Sequence, residues 1–255
     1  MGIAALPALL LTAGPGDGES RAAGLVLAAA AGLYVLVEYG ARTPALIDFR
    51  FAPPLNRLRF ALAALTLVAT TACVSFADGA GALTATFAAF EAATDFPFSP
   101  VRMAADIFTR ASAPAPDPAV EYAAATAFCV ALACTLAFGA AIWFGPWPRA
   151  DERMNLLVNL PTFDVGGGDG AVARLRLLGA QVLVTAAGTL FAMLVLGGLA
   201  VALLAPGVEI SPLALVWSAT IWAAAPGVMA LRGLAILKLA SRLRRDGGFG
   251  PDRRA

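Results

Sequence analysis

Residues 175–205 read LRLLGAQVLVTAAGTLFAMLVLGGLAVALLA. A helix needs about 20 predominantly apolar residues to cross a bilayer. This run exceeds that length with a single charge, Arg176, close to its start, so it can cross with some tilt. Four further stretches qualify, at 22–39, 58–77, 120–144 and 213–240. Pro226-Gly227 interrupts the last of these and predicts a kink there. Composition agrees: 60% of the 255 residues are hydrophobic and 14% charged, with mean hydropathy +0.78. Soluble domains carry roughly 45–50% apolar and about 25% charged residues. In water such a chain would expose large apolar patches. The expected fold is all-α: one integral membrane domain, 1–255, forming a polytopic membrane helix bundle of about five transmembrane helices. The opening MGIAALPALLLTAG is too short to span and lacks the basic start of a signal peptide. It is expected to be an interfacial arm, with a partial sixth span as the alternative.

The charges then orient the bundle. Residues 38–60, EYGARTPALIDFRFAPPLNRLRF, hold four arginines between two nearly uncharged spans. Lys and Arg are retained on the cytoplasmic side. Arg42, Arg50, Arg57 and Arg59 lie between spans one and two, and Arg149, Arg153, Arg174 and Arg176 between spans three and four. Arg242, Arg244, Arg245, Arg253 and Arg254 lie in a basic tail, 241–255. The alternate segments hold only Arg21, Arg102 and Arg110. Thirteen basic residues against three predict an outside N-terminus and a cytoplasmic C-terminus. Arg232 and Lys238, in the inner part of span five, can snorkel to the surface. Tyr39, Trp143, Trp147 and Tyr122 sit at span ends, the depth that Tyr and Trp favour.

The sizeable outer element is the loop 78–119. Residues 79–93 suit a short helix, and DFPFSP then breaks it. Ser99-Pro100 predicts an N-cap and first turn for VRMAADIFTRA. Val101, Ala104, Ala105 and Phe108 share one face of that helix. It is expected either to lie on the outer bilayer surface or to form a lid over the bundle. The Pro-rich APAPDP reads as an extended tether to span three.

Chemistry-bearing patterns are few. The chain has no histidine, which removes the commonest metal ligand and near-neutral acid–base group. Cys73, Cys129 and Cys134 lie in apolar runs without metal-site spacing and read as small apolar residues. No catalytic, cofactor-binding or metal residue is assigned, and no cofactor is expected. DGAVAR, residues 169–174, resembles part of the CDP-alcohol phosphotransferase signature, whose clustered aspartates hold a divalent metal and the CDP group. Asp169, Gly170, Ala173 and Arg174 match it. The other aspartate positions hold Gly166, Ala187 and Phe191, and a signature glycine is Leu183. One matched carboxylate does not supply the converging ligands that metal-assisted transfer needs. VGGGDG, 165–170, lacks the Gly-Lys-Ser/Thr ending of a P-loop and reads as a joint.

Ionisable groups inside a membrane are functional candidates. Here they are Glu38, Glu121 and Arg232, near span ends, with Glu38 and Arg232 the best potential pair. Thr66, Thr70 and Cys73 on span two, and Gln181, Thr185, Gly188 and Ala192 on span four, share helix faces. Such faces are expected to pack within the bundle, a solute pathway being the alternative. The first inner loop carries more aromatics than orientation requires. Phe49, Arg50, Phe51, Arg57 and Arg59 beside Pro53-Pro54 form the candidate interaction patch, since aromatics and Arg are enriched at protein interfaces.

The sequence therefore predicts a non-enzymatic, multi-pass protein of the bacterial cell inner membrane. It would act as a scaffold, assembly factor or accessory subunit through its cytoplasmic loops. Its partners would be the lipid bilayer and membrane proteins, with no nucleic acid. The alternatives are a small-solute transporter or channel component and a CDP-alcohol phosphotransferase-like lipid enzyme.

Overall fold

A computed structural model describes residues 2–11, 18–40, 54–77, 79, 81–111, 118–147, 170–204 and 210–245. Among them are eight helices and no strand. These are α1 (Gly2–Leu10), α2 (Gly18–Gly40), α3 (Leu55–Phe76), α4 (Ala82–Thr94), α5 (Pro100–Ala111), α6 (Pro118–Phe144), α7 (Gly170–Leu204) and α8 (Pro212–Arg245). Helices α3, α6, α7 and α8 are long and apolar enough to cross a membrane. Helix α2 has 23 residues, with a shorter apolar stretch at Arg21–Val37. The chain is an all-helical membrane bundle.

Helix α8 is its axis. It packs against α3, α6 and α7 and touches α1. Lipid tails are as apolar as leucine, so close contact rather than the hydrophobic effect holds membrane helices together. Small residues supply that contact. A side-chain carbon on Gly179 would lie 3.2 Å from the Gly233 carbonyl oxygen, and one on Gly233 would lie 3.1 Å from that of Gly179. The backbones of α7 and α8 thus cross at these two glycines. On the other side of α8, a carbon on Gly227 would meet Thr135 of α6 and Leu62 of α3. Buried Ala123, Ala124, Ala125 and Ala127 line α6.

Several helices begin earlier or end later than hydropathy alone places them. Helix α3 starts at Leu55 rather than 58, directly after Pro54. Proline lacks an amide hydrogen that an initiating turn does not need. Helix α7 starts five residues before the apolar run, and α8 continues through Arg242 to Arg245. Ala, Leu and Arg are good helix formers, so helices continue past the hydrocarbon into the headgroup layer. Helix α8 also continues unbroken across Pro226.

The N-terminal arm is the helix α1, packed on α2 and α3. Its Ala8 is fully buried, 2.9 Å from where a Gly24 side chain would begin. Of the two readings of the outer loop, the lid describes α5. Val101, Ala104, Ala105 and Phe108 are buried against α6, α7 and α8. Its start is capped as the sequence predicts, Ser99 Oγ accepting the Val101 amide at 3.2 Å.

Candidate functional site

Two buried clusters define the ends of the bundle. One joins Leu55 and Leu62 of α3, Ile142 of α6, Trp147 just after it, Leu175 of α7, and Leu239 and Ala240 of α8. The other joins α5 to Val120 and Ala123 of α6, Leu194 of α7, and Leu215 and Trp222 of α8. The first therefore gathers the N-termini of α3 and α7 with the C-termini of α6 and α8. Three of those ends, of α3, α7 and α8, carry Arg57, Arg59, Arg174, Arg176, Arg242, Arg244 and Arg245, and among the described residues the four ends carry no acidic residue. Three segments far apart in the chain make one basic end.

Within it, Arg57, Arg174, Arg176, Arg244 and Arg245 are exposed, while Arg59 and Arg242 are half-buried. Arg57 and Arg59 lie in the first turns of α3 rather than in a loop. Arg59 donates to Asn56 Oδ1 at 3.3 Å, one turn back. Phe49, Arg50 and Phe51, the rest of the predicted patch, fall outside the described residues, as does Asp169 of the phosphotransferase-like segment. The Glu38 side chain does too, so the Glu38–Arg232 pairing stands only as an expectation.

Sequence reasoning treated the later arginines only as orientation signals. It gave Lys238, the single lysine, a snorkelling role only. Its ammonium donates to the Trp143 carbonyl, in the last turn of α6. Carbonyls there lack helix partners and carry the negative end of the helix dipole. Lys238 therefore ties α8 to the end of α6. Trp147 is 5% exposed and packs into the first buried cluster, whereas Trp143 is exposed. Gly145, whose amide bonds back to the Ala141 carbonyl at 2.9 Å, turns the chain so that Trp147 folds in.

The opposite end is mixed in charge. Glu91, Asp95, Asp106, Glu121 and Arg102 line a cleft of about 220 Å³ between α4, α5 and α6. Arg102 pairs with Asp95 at 3.3 Å, both side chains more than half exposed. Glu121 is exposed in the first turn of α6. Among the described residues no set of carboxylates, thiols or imidazoles converges as a metal site.

The two polar helix faces part ways. Thr66, Thr70 and Cys73 are buried, as expected of a packing face. Both threonine hydroxyls donate to the carbonyl four residues back, at 2.8 Å. Gln181, Thr185, Gly188 and Ala192 instead lie exposed on the outer side of α7. Helix α7 packs on α8 through its other face, at Gly179 and Leu183, and each helix has one face to give. The expectation that both polar faces pack inside this chain is therefore met by α3 and not by α7.

In comparisons with known proteins, no family model, no curated protein and no solved structure matches this chain.

Proposed function

We propose that this chain is a non-enzymatic, multi-pass protein of the bacterial inner membrane, acting as a scaffold, assembly factor or accessory subunit of a membrane complex. The observation that carries the reading is the basic end, where three separate helices present exposed Arg57, Arg174, Arg176, Arg244 and Arg245 together. A surface of guanidinium groups recognises carboxylates and phosphates in planar, two-pronged contacts. The positive-inside bias puts that surface in the cytoplasm. Phe49 and Phe51 would add aromatic anchors beside it. An Arg-rich, Ala-rich composition is of the kind that GC-rich bacterial genomes encode.

The test is crosslinked partner recovery from native membranes at equal protein abundance. The change Phe49→Ala with Phe51→Ala retains every charge, so orientation is preserved. Losing one buried aromatic anchor costs about 2 kcal/mol, or roughly thirtyfold in affinity. Recovery should therefore collapse for the aromatic variant. Unchanged partners in unchanged amounts would remove the docking role of the patch.

The outward face of α7 extends this reading into the membrane. An exposed glutamine amide in a lipid-facing helix gains a hydrogen-bond partner when another helix packs on it, and Gly188 lets that helix come close. Gln181→Leu should weaken crosslinking to a partner helix while leaving the monomer folded. The same outward orientation weakens the transporter alternative, because this polar face does not line a path between the helices of the chain.

A further inference from the structure

Helix α8 outlasts α6 at the basic end of the bundle. Leu231 and Leu234 pack on Gly139 of α6, where a side-chain carbon would lie 2.9 Å from Leu234. Helix α6 stops at Phe144, while α8 runs on to Arg245. Leu231, Leu234, Lys238, Arg242 and Arg245 recur every three or four residues and so share one face of α8. The apolar part of that face meets α6. At the level where α6 gives out, the Lys238 ammonium donates to the Trp143 carbonyl, and Arg242 and Arg245 follow beyond it. Both arginines are close enough to Lys238 for their charges to repel it. Among the described residues no carboxylate pairs with any of the three, and the ion pair of Arg102 with Asp95 lies at the other end of the bundle. Three like charges on one face are left without a counter-charge.

We propose that this face binds the phosphate of an anionic phospholipid from the leaflet at the basic end. Charge is the first argument. A lysine ammonium has three donors, and Lys238 gives one of them to Trp143. The planar guanidinium forks of Arg242 and Arg245 match phosphate oxygens in pairs. The last carbonyls of α6 oppose an anion, since they form the negative end of its helix dipole. The Lys238 ammonium sits against them and offsets that repulsion. Depth is the second argument. Trp143 and Phe144 are exposed in the last turn of α6, and exposed tryptophan favours the headgroup level, where lipid phosphates lie. Arg242 is half-buried and Arg245 exposed, so the arginine stems follow the helix while their heads stay accessible. The third argument separates a lipid from a soluble anion. Trp143 and Phe144 offer an aromatic seat to the glycerol and first methylenes of a lipid, which inorganic phosphate does not use. The site meets the docking surface of the basic end at Arg245 alone and does not depend on a protein partner.

Charge removal on and off this face tests the proposal. The full-length chain, purified in detergent, is mixed with palmitoyl-oleoyl phosphatidylglycerol or palmitoyl-oleoyl phosphatidylcholine, with and without excess inorganic phosphate. Bound lipid is then read by native mass spectrometry. The wild type should retain phosphatidylglycerol in preference to phosphatidylcholine, and inorganic phosphate should not displace it. Arg242→Gln with Arg245→Gln leaves the Lys238 contact in place. It should weaken retention about 25-fold, from about fivefold for each basic residue near a lipid phosphate. Arg57→Gln with Arg244→Gln removes the same charge from the same end, but from α3 and from another face of α8, and should keep the lipid. If the Arg242 and Arg245 double variant unfolds, Arg245→Gln alone, exposed in the last turn of α8, should weaken retention about fivefold. Equal losses in the two double variants would reduce the effect to general attraction and overturn the site. Unchanged retention without Arg242 and Arg245 would overturn it too. So would a wild type with no preference for phosphatidylglycerol, or one from which inorganic phosphate displaces the lipid.

Discussion

Single residues hold the helices at their contact distances, and glycine does so most clearly. Gly233 faces Gly179 across the α7–α8 crossing, and a new side-chain carbon there would also meet Leu183 at 2.9 Å. Gly233→Leu should therefore destabilise by about 2 kcal/mol through overpacking. Gly188→Ala, where nothing lies within 4 Å, should be neutral or gain up to about 1 kcal/mol of helix propensity. Thermal unfolding of both in one detergent checks the contrast. Phe98 presents the reverse case. It holds φ at +64° and is 93% exposed, in the turn between α4 and α5. A left-handed conformation costs a non-glycine residue roughly 1–2 kcal/mol. Phe98→Gly should raise stability in detergent by about 1 kcal/mol, and a fall would mean that the ring itself makes a stabilising contact.

At the scale of elements, two kinds of hydrogen bond behave differently. Thr66 and Thr70 bond carbonyls of their own helix, so they satisfy themselves without joining α3 to a neighbour. Such bonds compete with the helix ladder and add little to it. Thr70→Val should therefore cost less than about 1 kcal/mol. Trp222 bonds the Leu190 carbonyl of a different helix. Trp222→Phe keeps an aromatic ring beside Phe128 but loses that bond and leaves a smaller side chain. It should cost about 1–2 kcal/mol, measured by unfolding in the same detergent. A smaller loss from Trp222→Phe than from Thr70→Val would reverse this ranking.

For the whole molecule, the testable quantity is orientation. The basic end gathers the starts of α3 and α7 with the ends of α6 and α8, and the cytoplasm retains basic residues. A phosphatase reporter after Gly248 should be inactive and one between Ala111 and Pro118 active, with a cytoplasmic fluorescent reporter giving the opposite pattern. A C-terminal phosphatase that is active would reverse the assignment. Changing Arg57 and Arg59 to Gln removes two of thirteen inner charges and should loosen orientation only partly.

The sequence alone determined that the chain crosses a membrane as helices, roughly where each begins and ends, and which helix ends are basic. Hydropathy and charge are properties of local composition, and the bilayer reads them segment by segment. Of the basic end, Arg57 and Arg59 stood together in the sequence, whereas the arginines of α7 and α8 join them only through tertiary packing. The inward turn of Trp147, the packing of α1, the contact of Lys238 with α6 and the outward face at Gln181 were also decided by the tertiary structure. The reason is that α6 and α7 are apolar almost all round. A membrane helix that is apolar on every side carries little periodicity to mark which face meets protein and which meets lipid. That choice falls to shape: where Gly179 meets Gly233, where Gly227 admits Thr135 and Leu62, and where an alanine-lined α6 lets its neighbours close in.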